Sequence, residues 1–247
     1  RIFPNPRLRK IRALFVSKYG AKGLESALRG IFGTKTLGES VVPLVVTSYN
    51  LGENDVHLFK TRHHERLRRD FSNEMWAVGM ATAAAPTFFP AFCLPDEHVR
   101  LIDGGVWANN PAMVGVTEAV SMFEQPVESL RLLSLGTTSD ARTRPRHLDR
   151  GGLIRWIRSP NVVNVLLKGQ STGAFTQVQH LLPRDRAFRL DPPAPPELAS
   201  LDAVDARELI AKASYYSRHF CPTFAAEFAT HVAKPFEPIP LATPKGA

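Results

Sequence analysis

Cysteine is scarce in this sequence. Only Cys93 and Cys221 occur among the 247 residues, which is too few for a disulfide-stapled scaffold, and their spacing fits no zinc-binding pattern. The neighbouring histidines His63 and His64 do not make a metal site either, because consecutive side chains on a helix point in different directions. The sequence therefore predicts free, partly buried thiols in a cytoplasmic protein, with no metal and no bound cofactor.

Long apolar runs are also missing. No stretch of eighteen apolar residues occurs, so the sequence predicts no transmembrane helix, and the first residues lack the apolar core of a signal peptide. The hydrophobic content of 44% and the charged content of 22% are ordinary for a globular protein. A chain of 247 residues is long enough for one large domain or two small ones.

Acidic residues are outnumbered by basic ones. The 31 lysines and arginines and the 23 acidic residues give a net charge of +8, which favours anionic partners such as phospholipid head groups or nucleotides. A basic protein without such a partner fits the composition equally well. Residues 1–19 alternate basic and apolar side chains, which indicates a membrane-facing patch or, more commonly, a solvated helix face. No recognition helix or aromatic platform is evident, so nucleic acid is not expected as a partner.

Strand-like and helix-like segments alternate through the first 140 residues. The run at residues 41–48 is apolar without alternation, which is typical of a strand buried on both faces of a parallel sheet, and residues 55–60 alternate as a neighbouring strand. The other predicted elements are a helix over 21–31 ending near Gly33, a helix over 73–84 capped by Ser72, a strand over 98–102, a helix over 111–123 and a strand over 130–135. This alternation predicts an α/β fold with a mainly parallel central sheet flanked by helices.

Helical patterns dominate after residue 140. The predicted elements are a basic surface loop over 139–151, helical spacing over 152–182, a Pro-rich connector over 191–196, a helix over 203–217 capped by Asp202, a last helix striped by Phe220, Phe224 and Phe228, and a Pro-rich tail over 234–247. Phenylalanines four residues apart usually mark core packing. The tail is expected to be disordered or draped over the surface.

Asp103 is the strongest candidate for a catalytic residue. It ends a short apolar run and is followed by Gly104 and Gly105, and then by Asn110 and Pro111, which form a good helix cap and first turn. Open α/β sheets place their chemistry at the carboxyl ends of strands. On the tripeptide alone, the simpler interpretation is an aspartate that caps local amides in a turn.

A second motif, Gly169-Gln170-Ser171-Thr172-Gly173, matches the Gly-x-Ser-x-Gly pattern of a nucleophile elbow. Such an elbow needs a strand immediately before the serine and a helix after it. The residues before Ser171 have helical spacing instead. We therefore do not expect Ser171 to be a nucleophile.

Two blocks of the sequence closely resemble the patatin-like phospholipase family. They are the small-residue segment 81–90, with its Pro-Thr-Phe-Phe-Pro end, and Asp103-Gly104-Gly105 followed by Asn109-Asn110-Pro111. Residues 3–6 and 132–137 fit the same resemblance, which covers 1–140 well and 141–233 as a helical region. It implies a patatin-like domain over 1–233, with a three-layer α/β fold and a mainly parallel sheet, followed by the tail at 234–247.

The resemblance also implies a mechanism. The family is similar to serine acyl hydrolases that use a Ser–Asp dyad, so Asp103 would be the general base, and Gly104 and Gly105 would leave room for the nucleophile. The family's glycine-rich oxyanion loop and nucleophile elbow precede the Asp-Gly block, and nothing before Asp103 matches either of them. We therefore expect the first strands, the oxyanion loop and the nucleophilic serine to lie before these residues. The alternative is a catalytically inactive relative that binds lipid or nucleotide.

The resemblance finally implies partners. The substrate would be a lipid acyl ester, and the protein would be cytoplasmic and peripheral to a phospholipid membrane surface when active. Bacterial relatives include antiviral phospholipase effectors that are switched on by cyclic nucleotides, and the resemblance leaves room for a homo-oligomer. Four arginines are candidates for contacting such an activator: Arg142, Arg144, Arg146 and Arg150.

Overall fold

The computed structural model describes residues 16–94, 99–137, 139–140, 149–150, 152, 156, 161–194 and 205–240. The chain divides into two compact units. The first unit consists of Arg1–Ala108 and Pro235–Ala247, and the second unit consists of Asn109–Lys234. Each unit has its own sheet and its own hydrophobic core, and each is described by itself.

The first unit opens with helix α1, Lys22–Phe32. Its apolar residues Leu24, Leu28 and Phe32 pack against the core of the unit. The helix ends at Gly33, which has a φ of 58°, a left-handed conformation that glycine adopts without steric cost. The Gly33 amide donates to the Arg29 carbonyl oxygen at 2.9 Å. The predicted helix and its stop are thus both found.

The sheet of the first unit has the order β2-β1-β4-β3 and is antiparallel in all its described pairs. Its strands are β1, Val45–Asn50; β2, Asp55–Lys60; β3, Phe92–Cys93; and β4, Arg100–Asp103. Only residues 51–54 connect β1 to β2, whereas a parallel pair needs a crossover of a dozen residues or more. The mainly parallel sheet predicted from the sequence is therefore not confirmed by these strands.

The apolar run at residues 41–48 does not coincide with strand β1. The strand begins only at Val45, and Val41 and Val42 before it are 81% and 51% exposed. An interpretation as a strand buried on both faces is therefore wrong for its first half. An apolar run has the same appearance in the sequence whether it lies in a sheet or leads into one.

Helix α2, Met75–Thr82, packs against this sheet with five buried residues: Trp76, Ala77, Val78, Met80 and Ala81. They join Leu37, Phe59 and Leu101 in the core of the unit. Ser72 does not cap the helix as predicted, because it ends a preceding 3-10 turn, Asp70–Ser72, and donates to the Arg69 carbonyl. A Cβ added at Gly79 would lie 3.1 Å from Leu28 of α1, so the small residue lets the two helices approach closely.

The second unit is built on parallel strands. The short helix α3, Gly105–Ala108, closes the first unit, and α4, Ala112–Ser121, opens the second. Strand β5, Leu132–Leu135, pairs in parallel with β7, Ala187–Leu190, and the long helix α5, Asn161–Leu181, lies between them in the chain. The short strands β6, Ser139–Asp140, and β8, Pro193–Ala194, also pair in parallel. Ala112, Val116, Val178 and Leu182 form the buried core of this unit.

The last helix, α6, spans Ala206–Phe228 without a break and includes Pro222. The sequence predicted two helices here. The cap is Asp205, whose Oδ1 accepts from the amides of Arg207 at 2.9 Å and Glu208 at 3.3 Å, while the predicted cap Asp202 lies outside the described residues. Phe220 and Phe228 pack edge-to-face on Phe188 of β7 at 6.4 and 5.4 Å between ring centroids, as expected of the stripe. Phe224, in contrast, is 42% exposed, so the expected core packing does not extend to it.

Some predicted features lie outside the described residues, and others can be compared with the structure. The basic segment before residue 16 and the arginines Arg142, Arg144 and Arg146 lie outside them. Cys93 and Cys221 are free, as predicted, but both are exposed rather than partly buried. Among the described helices, none combines the length and the apolarity that crossing a membrane requires.

Candidate active site

Asp103 is the last residue of β4, at the predicted strand end. Its amide donates to the carbonyl oxygen of Ala84 at 3.1 Å. Ala84 follows α2 and belongs to the small-residue segment 81–90. The structure therefore brings together the two blocks that the sequence singled out, and the strand end is fixed to the end of the helix.

The Asp103 carboxylate is half-buried and is held by the turn that follows it. Its Oδ1 accepts from the Gly105 amide at 2.7 Å. Burial raises the pKa of Asp103 above its ordinary value of 3.8, and the bond from Gly105 lowers it by a smaller amount. A carboxylate with a raised pKa is a stronger proton acceptor once it is ionised.

Gly104 has no room for a side chain. A Cβ at this position would collide with the carbonyl oxygen and the hydroxyl of Thr47 on β1. That carbonyl oxygen is held in turn by the Thr82 hydroxyl, which donates to it at 2.7 Å. Gly104 therefore lets Thr47 approach the turn closely, and Gly105 contributes its amide to Asp103. That the two glycines leave room for a nucleophile stays a prediction.

Ser48 and Trp107 support this strand end, and sequence reasoning missed both of them. Ser48 is fully buried opposite Asp103 in the β1–β4 register, and its hydroxyl donates to the Ile102 carbonyl at 2.7 Å. Trp107 Nε1 donates to the Ser48 carbonyl at 2.8 Å. Because its hydroxyl is buried and bonded to backbone, Ser48 ties β1 to β4 rather than serving as a nucleophile. The one signal in the sequence was a hydroxyl residue inside an apolar run.

Asn109 and Asn110, which follow the Asp-Gly block, lie in the second unit. Asn110 Oδ1 accepts from the Ala112 amide at 3.2 Å, so its side chain holds the first turn of α4, with Pro111 one position before the first helical residue. Asn110 Nδ2 donates to the Ser171 carbonyl at 3.1 Å. The Asn109 amide donates to Gln170 Oε1 at 2.6 Å. The asparagine pair thus anchors α4 to α5.

Ser171 lies inside α5, ten residues after the helix begins at Asn161. No strand precedes it, so the Gly-x-Ser-x-Gly match is helical and is not an elbow, as its sequence context predicted. The serine is 6% exposed, and its hydroxyl accepts from Arg189 Nη2 at 3.1 Å. Its role in the structure is therefore to hold an arginine.

Arg189 of β7 is the centre of a polar network that sequence reasoning missed. Its Nη1 donates to the Ser134 hydroxyl at 2.6 Å, and its Nη2 forms an ion pair with Asp191 Oδ2 at 2.8 Å, in addition to the bond with Ser171. Ser134 also donates to Asn110 Oδ1 at 3.2 Å. The side chains of Arg189 and Asp191 are only 18% and 13% exposed. The side chains of Ser134, Ser171, Arg189 and Asp191 each have at least one hydrogen-bond partner in this network. This arrangement indicates that the network stabilises the fold.

Within the described ranges, no three His, Cys, Asp or Glu side chains converge closely enough to hold an ion. The half-buried Asp103 carboxylate, beside a glycine turn, can take part in proton transfer.

The first half of the chain is similar to one known protein family. Residues 3–116 match the family model described as patatin-like phospholipase. The chain is 28% identical over 193 residues to "Patatin-like protein 1" of Oryza sativa subsp. indica, covering 67% of this chain and 46% of that protein. It is 30% identical over 147 residues to the "cGAMP-activated phospholipase" of Vibrio cholerae, covering 57% of this chain and 41% of that protein. A protein of the same name from Pseudomonas aeruginosa is 31% identical over 138 residues, with 55% and 41% covered.

These matches confirm the family resemblance seen in the sequence. The matched family segment contains α1, the whole described sheet of the first unit, α2 and Asp103. The chain spans less than half the length of each of these three relatives.

Proposed function

We propose, since residues 3–116 match the patatin-like phospholipase family, that this protein is a lipid acyl hydrolase of the phospholipase A type with Asp103 as its general base. The observation that carries the proposal is the half-buried Asp103 carboxylate at the end of β4, held by the Gly105 amide inside the matched segment. The nucleophilic serine and the oxyanion loop lie in a segment before these residues. The described serines near the two motifs, Ser48 and Ser171, are both buried and bonded.

The reaction proceeds in two half-reactions. The serine hydroxyl attacks the ester carbonyl while the Asp103 carboxylate takes its proton, and the tetrahedral intermediate collapses as Asp103 returns that proton to the departing alcohol of the lipid. A water molecule then attacks the acyl-enzyme and gives a proton to Asp103. Collapse of the second intermediate releases the fatty acid, and the proton goes back to the serine.

Burial of Asp103 matters for both half-reactions. An aspartate with its ordinary pKa is a weak base at neutral pH, and burial raises the pKa of Asp103 above that value. The Gly105 amide opposes this effect and fixes the orientation of the carboxylate. The ionised Asp103 carboxylate is then a better proton acceptor than that of an exposed aspartate.

The partners follow from the charge and from the relatives. The net charge of +8 favours a phospholipid membrane surface, to which the otherwise cytoplasmic protein would bind peripherally. Two of the three relatives described above are named cGAMP-activated phospholipases, so a cyclic nucleotide is the proposed activator and an antiviral role is the proposed context.

A fluorophosphonate probe tests this function on the full-length protein. The probe reacts with activated serines, and mass spectrometry of the labelled peptide identifies the residue. We expect the label on a serine that precedes the segment described here, and its loss in Asp103→Asn. A label on Ser171 would refute the assignment of the nucleophile. Folded protein that takes no label with or without cGAMP would favour the alternative, an inactive relative that binds lipid or nucleotide.

A further inference from the structure

Three consecutive polar residues are buried directly after β2 in the first unit. Thr61, Arg62 and His63 are 0%, 5% and 7% exposed. The Thr61 hydroxyl accepts from the Leu44 amide at 2.9 Å and is bonded to His63 Nδ1 at 2.9 Å. The polar groups of Thr61 therefore have hydrogen-bond partners inside the unit. The side chain of Arg62 does not have all of its partners.

Two of the three nitrogens of the buried Arg62 guanidinium group lack an acceptor. Its Nε and Nη1 have no hydrogen-bond partner among the residues that the structure describes. Its Cζ lies 5.6 Å from the ring centroid of Phe71, which provides an aromatic face but no counter-charge. This differs from Arg189, whose guanidinium is bonded to two hydroxyls and a carboxylate.

An unpaired buried charge is unfavourable unless something neutralises it. Lysine or histidine can lose a proton on burial, whereas an arginine side chain remains charged over the pH range in which proteins are folded. The remaining way to relieve the cost is an anion that supplies the missing acceptors. Arg62 therefore indicates an anionic ligand.

The charge around Arg62 favours the same conclusion. Residues 62–69 contain one glutamate and six basic residues: Arg62, His63, His64, Arg66, Arg68 and Arg69. Arg66, Arg68 and Arg69 are exposed, so the segment has a positive surface above a buried positive group. A guanidinium group matches the spacing of phosphate oxygens, and clustered arginines are typical of phosphate recognition.

We propose that the segment 61–69 is a phosphate-binding site centred on the buried guanidinium of Arg62. The ligand is a phosphate group, which a phospholipid head group or a free phosphate compound can supply. The tail borders this site, because the Ile239 amide donates to the Arg62 carbonyl oxygen at 2.9 Å. The site does not include Asp103, and it does not depend on the proposed hydrolase activity.

Thermal unfolding of the full-length protein tests the site with inorganic phosphate. Phosphate replaces chloride at constant ionic strength, and wild type is compared with Arg62→Met and with Arg100→Met, which removes an exposed arginine of β4 outside the segment. Without phosphate we expect Arg62→Met to have a higher Tm than wild type, because it removes an uncompensated buried charge. Phosphate should raise the Tm of wild type and Arg100→Met, because a ligand bound only to the folded state stabilises it, and should leave the Tm of Arg62→Met unchanged.

Vesicle flotation distinguishes the two sources of phosphate. The vesicles contain ether-linked phosphatidylcholine, which has no acyl ester to hydrolyse, or digalactosyldiacylglycerol, which has no phosphate. If the head group is the ligand, wild type and Arg100→Met float with the first vesicles only, and Arg62→Met floats with neither. A Tm response to inorganic phosphate without flotation identifies a free phosphate compound.

The proposal is overturned if wild type responds neither to phosphate nor to the phosphatidylcholine vesicles. It is equally overturned if Arg62→Met responds as wild type does. Should Arg62→Met fail to fold, Arg62→Gln takes its place in the same comparisons. Neither measurement uses hydrolysis, so a failure of the hydrolase proposal is seen separately, in the fluorophosphonate experiment.

Discussion

The two compact units treat their buried charges differently. In the second unit, Arg189 and Asp191 neutralise each other at 2.8 Å, and Ser134 and Ser171 occupy further donors of the arginine. In the first unit, the Asp103 carboxylate is held by a backbone amide and burial raises its pKa, while Arg62 Nε and Nη1 lack acceptors within the described residues.

The difference separates structural charges from functional ones. In a buried ion pair with complete hydrogen bonding, all donors and acceptors are already used, so none is available to a ligand. Removing one partner of such a pair lowers the stability of the fold. A buried charge without a partner destabilises the fold and remains available to a substrate or an ion. Substitutions in the two units should therefore affect activity and stability in opposite ways.

The largest expected effect is on activity, at Asp103. Asp103→Asn keeps the shape of the side chain and an oxygen for the Gly105 amide but removes the base, so ester hydrolysis should fall on the order of 10²- to 10⁴-fold. The measurement is kcat/KM for a short-chain ester with the full-length protein. Asp55→Asn, an exposed carboxylate on β2, is the control and should retain wild-type turnover. Turnover by folded Asp103→Asn close to that of wild type would remove Asp103 from the mechanism.

The next effect is on stability, at Arg189. Arg189→Met leaves Asp191 unpaired and removes the donors to Ser134 and Ser171, so it should lower the free energy of unfolding by about 2–4 kcal/mol, less than for a fully buried pair because both side chains are partly exposed. Urea denaturation measures the loss. Arg189→Met combined with Asp191→Leu should cost less than the two single changes added together. An Arg189→Met protein as stable as wild type would show that this pair does not support the fold.

A third effect concerns the glycine turn. Gly104→Ala places a methyl group against the Thr47 backbone carbonyl, which cannot move without disturbing β1, and should destabilise the protein by about 1–3 kcal/mol. Gly30→Ala lies inside α1 with no atom within 4 Å of the new Cβ and should stabilise the protein slightly, by about 0.5–1 kcal/mol. Thermal unfolding of the two variants compares them directly. Equal stability of the two would contradict the close approach of Thr47.

The smallest effect is the pH dependence contributed by Asp103. Because burial raises the pKa of Asp103 in the folded state, the protonated form is favoured there, and this stabilisation is complete below pH 3.8 and is lost as the pH rises through the raised pKa. Asp103→Asn does not titrate, so its Tm relative to wild type should increase from acidic to neutral pH. Thermal unfolding between pH 3 and 8 tests the sign. A difference that shrinks as the pH rises would mean that the folded protein prefers the ionised carboxylate.

Local signals in the sequence predicted local structure well. The end of α1 at Gly33 and the position of Asp103 at a strand end both depend on neighbours in the chain, so the residues themselves were sufficient. The cap of α6 was misassigned to Asp202 because Asp205 offers the same signal three residues later. The helical context of Ser171 was also readable, since it depends only on spacing.

The pairing of strands that lie far apart in the chain could not be predicted from the sequence in this way. Ser134 and Arg189 lie side by side because β5 and β7 pair in parallel, although they are 55 residues apart in the chain. Thr47 approaches Gly104 because β1 and β4 are neighbours in the sheet. The antiparallel order of that sheet was missed for the same reason, since an apolar strand does not specify the direction of its partner.

The bond from Ile239 to the Arg62 carbonyl has a consequence for synthesis of the protein. The first unit is made of residues 1–108 and 235–247, so its last segment leaves the ribosome only after the entire second unit. Until then, the Arg62 carbonyl lacks its donor, and this edge of the unit is open to water. The second unit is a continuous stretch and can form its own sheet and core while the first still waits for completion. The first unit is therefore complete only after the second unit has been synthesised.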